Sequence, residues 1–454
     1  MNQHPLPRAI LTVPLALGLL AAAASASWAA EPTRIVLPND LRLIVQPDNS
    51  SRIVAVNAIV KFGADRETPL TAGIRYFLQN VMIRGSRDRN ATQIAEQLAS
   101  RGASLNTSLG DDYVEFYATG GVDSWDSLLE LVAEILMRPR LDDKEIEAVR
   151  TDLLNELQFR QDQPATWSYD LFRGTLFSDR QGTPLGYGLP PGGSEDSLRR
   201  ITRESLRDCQ RQYYVPNNTV VSVVGDVDVN AVRAVAASTF KSFAKRTVPP
   251  ADLPEVSAEP GRSTVEEREG EMTWLVVGYP APPVAQADYV PVRVASAVLG
   301  EGMASRLFRS LREERKLAYD LANFCPERAL ASEIATYVAI QPLKDEQGRV
   351  ADLRLDETKQ AVLDEYERLK REPVPEAELD RARNYVAGTF AMAHQKNRQK
   401  AWQLGRFESL GVGYAYDRTF PDLVRKVTAA DLQRVANTYF VDAVAAVVMP
   451  QAMP

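Results

Sequence analysis

Apolar residues in the first half of the chain recur in short runs bounded by turn residues, a pattern typical of β-strands. The segment 34–45 contains two such runs around a Pro-Asn-Asp turn, and 52–64 contains one longer run. Segments 104–109 and 112–119 alternate polar and apolar residues, and 219–227 is rich in β-branched valine. These patterns predict a sheet built from short strands.

Helical periodicity fills the spaces between the predicted strands. Residues 71–83 have a helical period, and 88–102 predicts a helix that is capped by Asn90 or Thr92 and stopped at Gly102. Longer amphipathic helices follow the last of the alternating strands. Because strands and helices are segregated along the chain, the pattern predicts a sheet that is covered by helices on one face.

The chain repeats itself at an offset of 226 residues. The segment RRITRESLRDCQRQYYV, which begins at residue 199, aligns with RKVTAADLQRVANTYFV, which begins at residue 425. A second pair, RPRLDDKEIEAVR from residue 138 and REPVPEAELDRAR from residue 371, aligns at an offset of 233. A period of this length indicates duplicated whole domains rather than a solenoid. The matched positions in the first pair are Arg199 with Arg425, Ile201 with Val427, Thr202 with Thr428, Leu206 with Leu432, Tyr213 with Tyr439, Tyr214 with Phe440 and Val215 with Val441.

The repeat predicts an α+β protein of two homologous domains, each a mostly antiparallel sheet covered by helices on one face. The expected domains are 30–244 and 263–454. Residues 245–262 between them are rich in proline and lack apolar periodicity, which predicts an extended linker.

Residues 1–29 have the plan of a secretory signal peptide, with Arg8, an apolar stretch and a run of small residues. Cleavage is expected after Ala26 or Ala29, and Pro14 and the shortness of the apolar stretch disfavour an uncleaved anchor. No later segment offers a long charge-free apolar run, so no membrane span is expected in the mature chain. The sequence therefore predicts an exported, periplasmic protein.

The chain is acidic, with 53 Lys and Arg against 60 Asp and Glu and a net charge of −7. An acidic balance disfavours nucleic-acid binding. The two cysteines, Cys209 and Cys325, are interpreted as core residues, and a disulfide between them stays open. The two histidines are His4, in the predicted leader, and His394, which is expected on the surface. After cleavage no pair of imidazoles would remain to hold a catalytic metal.

The segment GIRYFLQNVMIRGS, residues 73–86, resembles the signature helix of the insulinase and pitrilysin family of inverted zincins, which includes the mitochondrial processing peptidases. The family motif is His-x-x-Glu-His, followed by a glutamate ligand about eighty residues downstream. The resemblance extends to FRQDQPATW from residue 159, YYVPNNTVVSVVGDVD from residue 213 and LGEGMASRLFRSLREERKLAY from residue 299. It implies a zinc-peptidase fold.

The residues of that motif differ in this chain. Tyr76 stands at the first histidine, Gln79 at the glutamate that activates water and Asn80 at the second histidine, while Glu156 matches the third ligand. Zinc prefers thiolate, imidazole and carboxylate donors, and Gln79 cannot accept a proton from water. The sequence therefore predicts no metal and no catalytic residue in this chain alone. Tyr76, Gln79 and Asn80 could instead be ordinary helix-surface residues, with Glu156 a remnant.

The resemblance also covers a pair of hydrogen-bond donors in the second half. Arg312 and Tyr319 match an arginine and a tyrosine that, in the family, are thought to hydrogen-bond the carbonyl of the bound peptide. A guanidinium and a phenol are suitable donors for an oxygen that gains negative charge. The alternative is a solvated or ion-paired arginine beside Glu313 and Glu314, and an ordinary half-buried tyrosine.

Three hypotheses follow. The first is a non-metal subunit that pairs with a zinc-bearing family relative and contributes substrate-binding residues, so that zinc is expected only in the partner. The second is a structural or peptide-binding scaffold with no role in hydrolysis. The third, less favoured, is an independent peptidase with a different site.

Overall fold

The computed structural model describes residues 30–250, 261–344, 346, 350–352 and 354–451. The predicted signal peptide and part of the predicted linker, residues 251–260, lie outside the described residues. The described start of the linker lies against the first half, because Arg66 donates hydrogen bonds to the carbonyl oxygens of Pro249 and Pro250.

Six strands of the first half form one sheet, in the order β1-β2-β6-β3-β5-β4. All neighbours are antiparallel except β2 and β6, which are parallel. Strand β4 therefore lies at an edge of the sheet. The strands are β1 (Thr33–Val36), β2 (Arg42–Pro47), β3 (Ile53–Val60), β4 (Ser104–Leu109), β5 (Val114–Gly121) and β6 (Thr219–Gly225).

Most helices of the first half, but not the fifth, bury an apolar core against one face of this sheet. The predicted helix end at Gly102 is confirmed by its left-handed backbone, and Asn90, not Thr92, provides the cap. The helices are α1 (Ile74–Met82), α2 (Ala91–Ser100), α3 (Trp125–Met137), α4 (Asp143–Gln161), α5 (Pro164–Leu176), α6 (Glu195–Arg200), α7 (Arg203–Tyr213) and α8 (Val229–Thr239).

The second half repeats this architecture with a five-stranded sheet in the order β7-β13-β8-β10-β9. Only β7 and β13 are parallel, and a small ribbon of β11 and β12 is added. The strands are β7 (Ser263–Arg268), β8 (Thr273–Ala281), β9 (Ala318–Phe324), β10 (Ser332–Ile340), β11 (Leu343–Lys344), β12 (Val350–Asp352) and β13 (Val444–Pro450). The helices are α9 (Tyr289–Gly300), α10 (Leu355–Arg371), α11 (Glu376–Met392), α12 (Asn397–Ser409), α13 (Tyr416–Lys426) and α14 (Ala429–Tyr439), and Phe308–Glu314 forms a π-helical segment. The predicted fold class is confirmed.

The duplicated segments adopt the same local structure. Helices α7 and α14 begin and end at residues that differ by 226, and α4 and α11 begin at residues that differ by 233. The capping residues match as well, since Thr202 accepts a hydrogen bond from the amide of Ser205 and Thr428 accepts one from the amide of Asp431.

The second face of each sheet is covered by one helix from the other half. Helix α5 packs against β8 and β13, and α12 packs against β3 and β6. Helix α12 can approach closely because a side chain at Gly405 would meet Ser222 Oγ at 3.0 Å and Ile59 Cδ1 at 3.2 Å. Each half therefore supplies part of the covering of the other.

Charged residues join the two halves where the turn between β4 and β5 meets the loop between β9 and β10. Arg328 Nε lies 2.6 Å from Asp111 Oδ2, and Arg173 donates to the other oxygen of Asp111. The amide of Ala329 donates to Asp112, as does the hydroxyl of Tyr187. We call Asp111, Asp112, Arg173, Tyr187 and Arg328 the inter-half cluster.

Two predictions about single residues were tested by the fold. Cys209 is half-buried, Cys325 is buried, and both thiols are free. His394 is half-buried rather than a fully exposed surface residue. Its ring nitrogens contact the carbonyl of Phe390 at 2.7 Å and Asp417 Oδ1 at 2.5 Å, because the turn after α11 packs against the start of α13. Within the described residues, no helix combines the length and apolar character that crossing a bilayer requires.

Candidate functional site

Helix α1 carries the degenerate motif and packs against α4 of the same half. It begins after Gly73, whose positive φ of 84° and close approach to Gly192 leave no room for a side chain. The face formed by Phe77, Leu78 and Val81 is buried in the core. Tyr76 and Asn80, one helical turn apart, are only half-buried.

Tyr76 and Glu156, which the resemblance to the family motif assigns to one site, are in contact. The Tyr76 hydroxyl lies 2.9 Å from Glu156 Oε1 and 3.0 Å from Oε2, so it donates to the carboxylate that matches the third zinc ligand. Burial and then the hydrogen bond to Glu156 raise the pKa of Tyr76 to about 12. The phenol therefore stays protonated at neutral pH and acts as a donor.

The two amide residues of the motif are placed differently. Asn80 donates from Nδ2 to the carbonyl oxygen of Tyr76 at 2.7 Å, so its amide is engaged by its own helix. Gln79 is 1% exposed, and neither atom of its amide has a hydrogen-bond partner among the described residues. Gln79 is thus not a surface residue, because it sits on the core-facing side of α1.

These donors do not fit a zinc ion. The site offers a protonated phenol, two neutral carboxamides and one carboxylate, whereas zinc is held by thiolate, imidazole or several carboxylates. In the described part of the chain, no group of three or more His, Cys, Asp or Glu side chains is arranged to hold a metal.

Tyr76 and Glu156 line a cleft of about 350 Å³, which we call the Tyr76 cleft. The edge strand β4 forms one wall of this cleft, and α4 and the loop at Pro191 and Gly192 form the others. Arg160 closes one end, where its Nε and Nη2 atoms hold Asp170 at 2.6 and 2.8 Å. Its lining residues are Tyr76, Thr107, Ser108, Leu109, Leu153, Glu156, Leu157, Arg160, Pro191 and Gly192.

Sequence reasoning missed two features around α1. Arg75 is buried beside the motif, donates to the carbonyl oxygens of Phe62 and Gly110, and lies 3.4 Å from Glu67. The pair of Arg160 and Asp170 was missed as well. The position of Arg75 between apolar residues of the helix was the one signal that it is buried. Its partners could not be predicted, because they come from distant segments.

Arg312 and Tyr319 lie in the second half, and neither lines the Tyr76 cleft. Arg312 is exposed on the π-helical segment, where its guanidinium lies 5.1 Å from the centre of the Phe308 ring. Tyr319 is 67% exposed at the start of the edge strand β9. Neither side chain has an ion pair or hydrogen bond with the described residues, so the two donors are available to a ligand.

Two models of known protein families match this chain. The model of the family described as "Insulinase (Peptidase family M16)" matches residues 42–185, and that described as "Peptidase M16 inactive domain" matches residues 200–386. The chain belongs to the insulinase family. The first match lies within the first half, and the second begins near the end of the first half and extends through helix α11 of the second.

The insulinase-family chain is also similar to bacterial proteins of its own length. It is 23% identical to an uncharacterized zinc protease of Bacillus subtilis over 402 residues, which cover 88% of this chain and 93% of that protein. It is 26% identical to an uncharacterized zinc protease of Mycobacterium bovis, with 89% of each protein covered.

Solved structures share the fold. A protease from Helicobacter pylori has a TM-score of 0.84 at 21% identity, covering 92% of this insulinase-family chain and all of that chain. A peptidase M16 inactive domain from Pseudomonas fluorescens has a TM-score of 0.81 at 17% identity, with 93% and 98% covered.

Proposed function

We propose that this chain is the non-metal subunit of an exported, periplasmic peptidase made of two homologous chains. It binds unfolded peptide, and a zinc-bearing relative supplies the metal that cleaves it. The observation that carries the proposal is the bond from Tyr76 to Glu156. A neutral phenol satisfies the one carboxylate that matches a zinc ligand, so no metal is needed to hold that carboxylate.

The state of Arg312 and Tyr319 supports a role in binding substrate. The ordinary alternatives were an arginine that is solvated or paired with Glu313 or Glu314, and a half-buried tyrosine. The solvated arginine agrees with the structure, whereas the paired arginine and the half-buried tyrosine do not. Arg312 has no ion pair with a described residue, and Tyr319 is more exposed than a half-buried tyrosine. Free donors of this kind can hydrogen-bond a peptide carbonyl that develops negative charge at a neighbouring metal centre.

The edge strand β4 supports binding of an extended peptide. Among the described residues it pairs with β5 on one side only, so the backbone groups on its other side have no strand partner there. An extended peptide can add to such an edge through main-chain hydrogen bonds, while cavities beside the strand select side chains. The Tyr76 cleft lies beside β4, at Thr107, Ser108 and Leu109.

Mixing the purified chain with a zinc-bearing relative from the same genome tests the proposal. We expect the pair to cleave an unstructured peptide and the isolated chain to do so neither alone nor with added zinc. Arg312→Ala and Tyr319→Phe should each lower cleavage by the pair about 10- to 100-fold, as expected for lost transition-state donors. Arg309→Ala, on the same π-helical segment but paired with Glu378, is the matched control and should leave cleavage unchanged.

Two results would contradict the proposal. Stoichiometric zinc in the isolated chain, measured by mass spectrometry, together with unaided cleavage would make it an independent peptidase. A stable complex whose cleavage is insensitive to both variants would make it a scaffold subunit, the second hypothesis.

A further inference from the structure

A second cavity lies beside β4, on the face of the sheet opposite the Tyr76 cleft. It has a volume of about 350 Å³ and is bounded by the end of β4, the start of β5 and the first turns of α12. We call it the Arg398 cavity. Its polar and aromatic lining residues are Ser108, Tyr113, Glu115, Arg398, Gln399 and Trp402.

Arg398 is held in place by two neighbours on β5. Its guanidinium lies 3.8 Å from the centre of the Tyr117 ring, and its Nη2 atom donates to Glu115 Oε1 at 3.2 Å and Oε2 at 3.3 Å. Such a planar stack and ion pair fix the orientation of an arginine. The cavity is therefore lined by a guanidinium group whose position is fixed by its neighbours.

Glu115 is not available to a ligand. It is 1% exposed, and Asn57 donates from Nδ2 to the same oxygen that Arg398 contacts. Because this buried carboxylate is already paired with Arg398 and Asn57, a basic ligand would find no free carboxylate in this cavity.

Arg398 retains free donors. Its side chain is 30% exposed, and its Nε and Nη1 atoms donate to no described residue. Trp402, one turn further along α12, also lines the cavity and is fixed by the 2.9 Å bond from its Nε1 to the hydroxyl of Tyr113. An acceptor that enters the cavity would meet N–H donors of a charged guanidinium, with an aromatic ring beside them.

Strand geometry connects the two cavities. Both are lined by Ser108 and Leu109. Because successive side chains of a strand point to opposite faces, a peptide paired with β4 would direct one side chain toward the Tyr76 cleft and the next toward the Arg398 cavity.

We propose that the Arg398 cavity receives an acidic side chain of the bound peptide, next in sequence to a residue that faces the Tyr76 cleft. The inference rests on the proposed binding of peptides and adds a substrate preference to it. Helix α12 begins at this cavity, and the partial positive charge of its first turn adds to that of Arg398.

Binding of labelled peptides to the full mature chain tests the preference by fluorescence anisotropy. A single Glu is moved along a neutral, unstructured twelve-residue peptide, and Gln, Lys and Phe replace it at the best position. We expect Glu to bind about tenfold more tightly than Gln, the effect of one hydrogen bond between charged groups. Lys should bind more weakly than Gln. Because only the peptide changes, this comparison needs no protein variant.

Protein variants then assign the preference to Arg398. Arg398→Gln should bind the Glu and Gln peptides equally. Arg398→Lys, which keeps the positive charge but not the planar guanidinium, should retain only part of the preference. Arg425→Gln, at an exposed arginine of α13, is the control and should retain all of it. Circular dichroism checks that each variant is folded.

The outcomes separate this inference from the proposed function. Peptides that bind with no difference between Glu and Gln, or best with Phe, would overturn the acidic preference and leave peptide binding intact. A preference for Glu that survives Arg398→Gln would place the site elsewhere and overturn the assignment. Failure of every peptide to bind would overturn peptide binding by this chain and the subsite with it.

Discussion

At the scale of single residues, the carboxylate of Glu156 is held by the hydroxyl of Tyr76, which lies 2.9 Å from Oε1 and 3.0 Å from Oε2. The resemblance to the family motif implied that positions 76 and 156 belong to one site, and the two side chains are in contact. The burial of Gln79 could not be predicted, because it depends on how α1 rotates against the core. The bond of His394 to Asp417 was missed for a similar reason, since its partner lies 23 residues away on another helix.

The geometry of α1 predicts that a zinc site can be rebuilt. Residues 76 and 80 lie one turn apart, and the hydroxyl of residue 76 already reaches Glu156. We expect the combined variant Tyr76→His, Gln79→Glu and Asn80→His to bind one zinc ion per chain, measured by titration calorimetry, because it restores two imidazoles beside a carboxylate. Adding Glu156→Gln should weaken that affinity at least tenfold, on the order of one ligand's contribution. Absence of zinc binding would show that the helix no longer presents these positions to one point.

At the scale of elements, local patterns predicted most strands and the duplicated helices of the first half. Apolar runs placed the six strands of the first sheet, and Gly102 ended its helix as expected. The crossing of α5 and α12 to the opposite sheets was not predicted. Amphipathicity shows that a helix has an apolar face but not which sheet that face will cover.

The duplicated helix caps predict matched losses of stability. Thr202 and Thr428 each satisfy an amide in the first turn of a helix, so Thr202→Ala and Thr428→Ala should each lower the free energy of unfolding by about 1 kcal/mol. Thr92→Ala is the control, since Thr92 is exposed and Asn90 caps its helix, and it should change stability by less than about 0.5 kcal/mol. Urea unfolding measures all three. A large loss for only one of the two caps would show that the repeats differ in cooperativity.

At the scale of the whole molecule, the pKa values of two adjacent carboxyl groups in the inter-half cluster are shifted in opposite directions. Burial alone would raise the pKa of Asp111, but Arg173 and Arg328 hold it well below its ordinary value. Burial and the charge of Asp111 raise the pKa of Asp112 to about 6, although its hydrogen bond from Tyr187 opposes the shift. The sequence predicted two domains but not this contact, because its residues come from four separate segments.

Asp112 predicts how stability varies with pH. Its pKa in the folded chain lies above the ordinary value of 3.8, so the folded state binds the proton more tightly. Its stabilising contribution is complete below about pH 3.8 and is lost as the pH rises through about 6. Lowering the pH from 7 to 5 should therefore stabilise the natural chain more than it stabilises Asp112→Asn. The two changes in the free energy of unfolding should differ by about 1 to 2 kcal/mol. Urea unfolding at several pH values measures this, and Asp123→Asn, at an exposed site, should follow the natural chain. Parallel curves for Asp112→Asn and the natural chain would refute the assignment.

The exchange of covering helices also governs the order in which the protein can fold. During synthesis all strands of the first sheet are present once β6 has emerged. Its second face stays uncovered until α12 has been synthesised, because Ala401 and Leu404 of α12 pack against Ile44, Ala55, Val220 and Val224. Nearly the whole polypeptide must therefore leave the ribosome before the first domain is finished. Under the proposed export, the chain would stay incompletely folded until it had been passed across the membrane. Each half expressed separately would expose one apolar face of its sheet to solvent.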